Sequence, residues 1–234
     1  MGSSALPGLA GIGRHAPDER LPRHRHAEAY MAVVLGGGYE EAGDAGRFAV
    51  RPGMVVVHGC WTAHLDRFGA RGAEVLNLPA VPGLAPGVGT IDDPDMAARF
   101  AGRDPRAAAA FVAERFRTSS VRHADWPDLL AAALRTDPDL AITPWARSVG
   151  LDPASVSRGF ARAYGTSPKR FRLEARTRRA LAALSGWRGT LADLAADQGF
   201  ADQAHLARAV AAMTGLPPVR LRAKSVQASG VRRG

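Results

Sequence analysis

Two seventeen-residue segments of this chain, "VSRGFARAYGTSPKRFR" at 156–172 and "LARAVAAMTGLPPVRLR" at 206–222, align so that Arg158 meets Arg208, Gly165 meets Gly215, Pro168 meets Pro218 and Arg172 meets Arg222. All four pairs are 50 residues apart. Each segment is preceded by a short helical pattern and a turn, so a whole helix-turn-helix is repeated. A duplicated unit constrains the fold far more than one amphipathic stretch does. The local signals agree. In "DPASVSRGFARAYG", Asp152 is a cap, Pro153 lies in the first turn and Gly165 is the stop. "TPWARSVG" reads as the helix before it, capped by Thr143 with Pro144 at the first helical position and Gly150 at its end; "DLLAAALR" precedes that. "SPKRFRLEARTRRALAALSG" opens on Ser167 and Pro168 and runs as one long connecting helix to Gly186, and Thr190 with Asp193 forms a capping box for the second unit.

Charge separates the two halves of the 234-residue chain. Residues 1–122 hold 14 Lys/Arg against 13 Asp/Glu, and residues 123–234 hold 17 against 9, so the halves carry +1 and +8. A basic helical half beside a near-neutral one points to a polyanion, with nucleic acid ahead of anionic lipid. In the first recognition helix Val156, Phe160 and Tyr164 form the inward stripe, which leaves Ala154, Ser157, Arg158 and Ala161 facing out. In the second, Leu206, Val210 and Met213 turn inward, and Gln203, Ala204, Ala207 and Arg208 face out. Small residues allow close approach to the major groove, Arg suits guanine and Gln suits adenine. The alternative, that Arg158 and Arg208 form intramolecular salt bridges, stays open at this stage. Lys169, Arg170, Arg172, Arg176, Arg178 and Arg179 line the connecting helix and suit phosphate contacts.

The N-terminal half has a different texture. "YMAVVL", "RFAV", "MVVVH" and "AEVLNL" are short apolar segments separated by "GGG", "AGDAG" and "RPG", the pattern of an all-β sandwich or small barrel. "PAVPGLAPGVGT", 79–90, reads as a connector after which strand signals stop. "DPRAAAAFVAERFR" reads as a helix whose Phe111, Val112 and Phe116 suggest a homodimer contact or packing on the barrel. In "RHRHAEAY", His24, His26 and Glu28 occupy alternate positions and would converge on one face of a strand. Cys60 is the sole cysteine, which excludes an intrachain disulfide and reads as a small buried apolar residue. "MGSSALPGLAGIG" lacks the layout of a signal peptide, so the expectation is a soluble, cytoplasmic protein without membrane contact.

The framework of Ala146, Gly150, Ser157, Arg158, Phe160, Gly165, Ser167, Pro168, Phe171 and Arg172 resembles the DNA-binding domain of the AraC/XylS family of transcription regulators, over about 100 residues from near His123 to Lys224. Val210, Met213 and "GLPPVRLR" depart from that pattern in the second repeat. "HRHAEAYMAVVLGG" and "RPGMVVVHGCWTAH" resemble the two motifs of a cupin barrel, the sensor that many such regulators carry. His24, His26 and His64 match its metal positions, while Tyr30 stands nearest the usual glutamate and Gly59 and Trp61 replace the usual Pro and Gly.

The resemblance implies an α+β multidomain protein: a cupin-like effector-binding barrel at 1–82, a linker and helical dimerisation segment at 83–122, and an all-α double helix-turn-helix domain at 123–225. It implies DNA binding through Ala154, Ser157, Arg158, Gln203, Ala204, Arg208, Lys169, Arg170 and Arg172. It places an effector pocket at His24, His26, Glu28, Tyr30 and His64, with a zinc-like divalent metal on His24, His26 and His64 as a candidate cofactor. The implied partners are double-stranded DNA, a small-molecule effector, RNA polymerase and a second copy of the chain. A regulator rather than an enzyme is expected. The rivals are a metal-dependent cupin enzyme with a basic accessory domain and a nonspecific architectural DNA binder.

Overall fold

The computed structural model describes residues 10–119, 123–137 and 139–222. The reading of residues 1–9 and the approach to Lys224 lie outside these. Two compact units are present: the first holds the residues up to Asp128 together with Ala163–Gly165, the second Leu129–Arg162 and the residues from Thr166 onward.

The first unit is one antiparallel sheet of β1 (Gly11–His15), β2 (Arg20–Arg25), β3 (Tyr30–Gly43), β4 (Gly46–Val50), β5 (Met54–His58), β6 (Ala63–Pro79), β7 (Gly87–Thr90) and β8 (Arg117–Thr118). The long strands β3 and β6 pair along their lengths, from Tyr30 opposite Pro79 to Gly43 opposite His64. β1 and β2 pair with opposite ends of β6, and β5 and β4 with opposite ends of β3. Alternation divides the core between the two faces. Tyr30, Ala32, Val34, Met54, Val56 and Val75 share one core cluster. Met31, Val33, Val55, Val57, Leu76 and Leu78 form the other, which is covered by α1 (Pro94–Ala101) and α2 (Pro105–Arg115).

Three sequence readings need correction here. "GGG" is no turn: Gly36, Gly37 and Gly38 lie inside β3, where the register against β6 slips twice, between Val34 and Gly36 and between Gly37 and Tyr39. This bulge reverses the alternation, because even-numbered residues face the first cluster before it and Tyr39 does after it. Strands also do not end at Leu78, since β7 pairs with β5 and β8 with β7. The helical segment is likewise no free linker: Val112 is fully buried in the second cluster, and Phe111 and Phe116 pack against it. Asp104 caps α2 as the sequence suggests, its side chain accepting from the amides of Arg106 and Ala107.

Gly37 shows how tightly the bulge is built. It sits at φ +70°, and a Cβ there would stand 2.0 Å from the Gly72 carbonyl oxygen. Gly37→Ala is therefore expected to destabilise the protein by at least about 1–3 kcal/mol, the usual cost of a non-glycine residue held in strained backbone. Thermal unfolding checks this; an unchanged midpoint would mean the bulge relaxes freely.

The second unit contains α3 (Trp126–Thr136, most of which belongs to it), α4 (Ile142–Ser148), α5 (Pro153–Tyr164), α6 (Pro168–Leu184), α7 (Leu191–Asp197) and α8 (Gln203–Thr214). Ser167 caps α6 by accepting from the Arg170 amide, and the Thr190–Asp193 capping box is formed in full. Gly215 closes α8 at φ +74°, in the left-handed region that favours glycine. The reading of α4 is corrected. It starts at Ile142 with Ala141 as cap and no side-chain cap bond, so Thr143 lies inside the helix. Pro144 is tolerated there because the first-turn amides have no intrahelical acceptor to lose.

Candidate functional site

In the second unit α5 and α8 occupy equivalent places in the repeat, and their inward stripes are spent as the sequence indicates. Val156 and Phe160 are buried on α5, and Phe160 meets Phe171 of α6 edge-on at 5.4 Å between ring centroids. Leu206, Val210 and Met213 are buried on α8. The opposite stripes are open: Ala154, Ser157, Arg158 and Ala161 on α5, and Gln203, Ala204 and Arg208 on α8, are all exposed. Among the described residues neither Arg158 nor Arg208 takes part in an ion pair, so the salt-bridge alternative finds no partner.

The connecting helix divides its cations. Lys169 and Arg179 are exposed. Arg170 is exposed but its Nε donates to Glu174, and Arg176 is tied to Asp139 at 2.9 Å. Arg172 is half-buried and donates to the Leu140 carbonyl at 3.2 Å, while Arg222, its repeat partner, donates to the Gly189 carbonyl at 3.2 Å. Each of these carbonyls belongs to the residue just before a helix cap, Ala141 for α4 and Thr190 for α7. The repeated arginine therefore latches the first helix of each helix-turn-helix. That shared duty accounts for its recurrence at a spacing of 50, and it gives Arg172 an intramolecular acceptor beside the phosphate role read from sequence.

In the first unit the histidines gather at one end of the sheet. His24 ends β2 opposite His64 on β6, and their ring centroids lie 4.3 Å apart. His26 follows just beyond β2, 4.9 Å from His24 and 4.9 Å from Tyr30. The Tyr30 hydroxyl lies 3.3 Å from His64 Nε2, and its ring stacks on His58 at 4.4 Å. Ring nitrogens of His24, His26 and His64 all fall within 4.8 Å of one another, a spacing that fits one divalent metal. Glu28 does not join them. β2 stops at Arg25, the chain bends at residues 27–28 with the His26 carbonyl accepting from the Trp61 amide, and Glu28 is exposed. Cys60 is also exposed, not buried.

Three residues complete the cluster. His58 ends β5, and Glu41 on β3 stands directly across the ladder from Asp66 on β6. Glu41, His58, His64 and Asp66 are each at most 5% exposed. His64 Nδ1 lies 3.0 Å from Asp66 Oδ1.

The electrostatics follow from burial and from one pair. Burial, then the charge on His64, lowers His24 and brings His26 down to about 4. Burial holds His58 well below its usual range. Burial also opposes charge on His64, but the Asp66 and Glu41 carboxylates outweigh it and raise that imidazole. Burial pushes the Glu41 carboxyl up. At neutral pH three neutral imidazoles thus surround the His64 imidazolium. His24, His26 and His58 can take a metal without first losing a proton, whereas His64 must give its proton up.

A helix-turn-helix domain family model matches residues 145–224. No curated protein matches the chain. Among solved structures, the chain is similar to ToxT from Vibrio cholerae, at 6% identity over 90% of this chain and 95% of that one, with a TM-score of 0.42. It is also similar to the C-terminal domain of AraT, a response regulator from Geobacillus stearothermophilus, at 18% identity over 44% and 88% with a TM-score of 0.40. A third likeness, to an AraC-type transcriptional regulator from Chromobacterium violaceum, has 22% identity over 42% and 89% and a TM-score of 0.38. The repeated helices and their caps agree with the matched family model, a helix-turn-helix domain over residues 145–224 of this chain.

Proposed function

We propose that this chain is a sequence-specific DNA-binding transcription regulator, not an enzyme, whose cupin-like sheet unit senses a small-molecule or metal effector. The observation that carries the reading is the pair of helices α5 and α8, each presenting an exposed arginine without an ion-pair partner on the stripe opposite its buried one. Arg158 and Arg208 read base edges, and Gln203 and Ser157 add hydrogen bonds; Ala154 and Ala204 keep the helices close to the groove. Lys169 contacts phosphate, with Arg170 secondary because Glu174 holds it. No helix among the described residues is long and apolar enough to cross a membrane. RNA polymerase and a second copy of the chain are the further partners, although Phe111, Val112 and Phe116 are already used inside the sheet unit and give a dimer no support.

Fluorescence anisotropy with duplexes from the neighbouring intergenic DNA tests the reading. A preference over random sequence that persists at physiological salt is expected, since phosphate-only binding weakens as counterions compete. Turnover of a small substrate that depends on His24 would instead favour the cupin enzyme.

The sensing role rests on His24, His26, Tyr30 and His64. A bound ligand shifts the protein between states only by binding one of them better, and a coupling of about 1–3 kcal/mol suffices. When a metal is bound at His24, His26 and His64 it supplies one fixed positive charge and a rigid cross-link; the imidazoles bind and orient it. His26→Ala combined with His64→Ala is expected to leave basal DNA affinity intact and abolish its change on adding Zn2+ or small polar metabolites. An unchanged response in that variant would remove the pocket, and lost basal affinity would make the histidines structural.

A further inference from the structure

We propose that Glu41, His58 and His64 form an interior binding site for a divalent transition-metal ion, a donor set that shares only His64 with the outer His24, His26 and His64. The three side chains come from β3, β5 and β6, far apart in sequence, and offer ligand atoms that all lie within 4.8 Å of one another. Glu41 Oε2 is 3.7 Å from His58 Nε2 and 4.0 Å from His64 Nδ1. Ligands held tetrahedrally at about 2.1 Å from zinc stand roughly 3.4 Å apart, so small side-chain shifts close the shell.

Burial makes the case independently of spacing. Glu41 is 3% exposed, and its Oε2 has no hydrogen-bond partner among the described residues. Directly across the ladder stands a second buried carboxylate, Asp66. Two carboxyl groups facing each other out of water are in conflict for donors, because His64 can serve only one of them. A cation between Glu41 and His58 removes the conflict. In taking it, His64 Nδ1 exchanges its contact with Asp66, whose oxygen at 3.0 Å remains beside the site.

The donor set selects the ion. Two imidazoles and a carboxylate suit zinc, cobalt, nickel or manganese better than the all-oxygen shells of calcium and magnesium. The inference relies on the sensor reading only for its regulatory meaning; binding is tested without DNA, so the two fail separately.

The test titrates Co2+ alone into the full chain after chelation, following its visible absorption. In a chain whose outer donors are already removed by His24→Ala and His26→Ala, Glu41→Gln and His58→Gln should each weaken binding at least about tenfold. Far-ultraviolet circular dichroism and thermal unfolding without metal confirm that each variant folds. X-ray absorption of that zinc-loaded His24→Ala/His26→Ala chain should count two imidazoles with oxygen ligands. Absence of Co2+ binding by that chain, undiminished binding on adding Glu41→Gln, or a count of one imidazole would each overturn the assignment.

Discussion

Phe160→Ala is expected to destabilise the helical unit by about 3–5 kcal/mol, the usual cost of deleting a fully buried aromatic ring. The side chain is 0% exposed and meets Phe171 at 5.4 Å, with the rings inclined at 79°. An edge-on pair of this kind adds to the burial term, and the cavity left between α5 and α6 cannot close without moving one of them. Against a typical total stability of about 5–15 kcal/mol the loss is severe. Urea unfolding measures it, and DNA affinity should fall in parallel, because α5 carries both the buried ring and the exposed Arg158. A change below about 1 kcal/mol would mean that the inward stripe of α5 is not what holds the unit.

The second large effect concerns recognition. Arg158→Ala combined with Arg208→Ala is expected to cost about 1–3 kcal/mol at each position on the specific duplex, roughly 30-fold or more in affinity together. The two sites lie on separate helices with no shared partner, so the effects should add. Stability should stay the same, since neither arginine is tied to another side chain among the described residues. Binding to random DNA at the same salt should change little. An equal loss on both kinds of DNA would make these arginines phosphate contacts, and a loss of stability would make them structural.

The contrast between the two units shows what a sequence reveals. The helical unit was legible because its signals are local: Asp152, Ser167 and Thr190 precede helix starts, and Gly165 and Gly215 take positive φ at helix ends. Where the local rule was ambiguous it misled, as at Thr143, because proline is accepted anywhere in a first turn and marks the start of α4 only loosely. Arg172 was legible only in part, for a different reason. Its charge was visible, but its acceptor, the Leu140 carbonyl, lies 32 residues away.

The sheet unit hid more because its site depends on register. Alternation counted from Tyr30 would put Glu40 inside and Glu41 outside. The Gly36–Gly38 bulge reverses it, leaving Glu40 to Arg67 near the surface and Glu41 beside His64 in the core. Three consecutive glycines inside an apolar run were the available signal, and a bulge was the alternative to a turn. Glu28 erred in the opposite sense: period two holds only while the strand lasts, and β2 ends at Arg25. His24, His26 and His64 were found because they lie in two short motifs, whereas Glu41 and Asp66 join them only through strand pairing.

Footprinting of the full chain on the neighbouring intergenic DNA tests the central claim most directly. Two recognition helices on one domain should protect two adjacent major-groove segments about one helical turn apart, at a site bound about 1,000-fold or more tighter than random sequence at physiological salt. Uniform protection without a preferred site would contradict the account and leave a basic domain that holds DNA only by its phosphates.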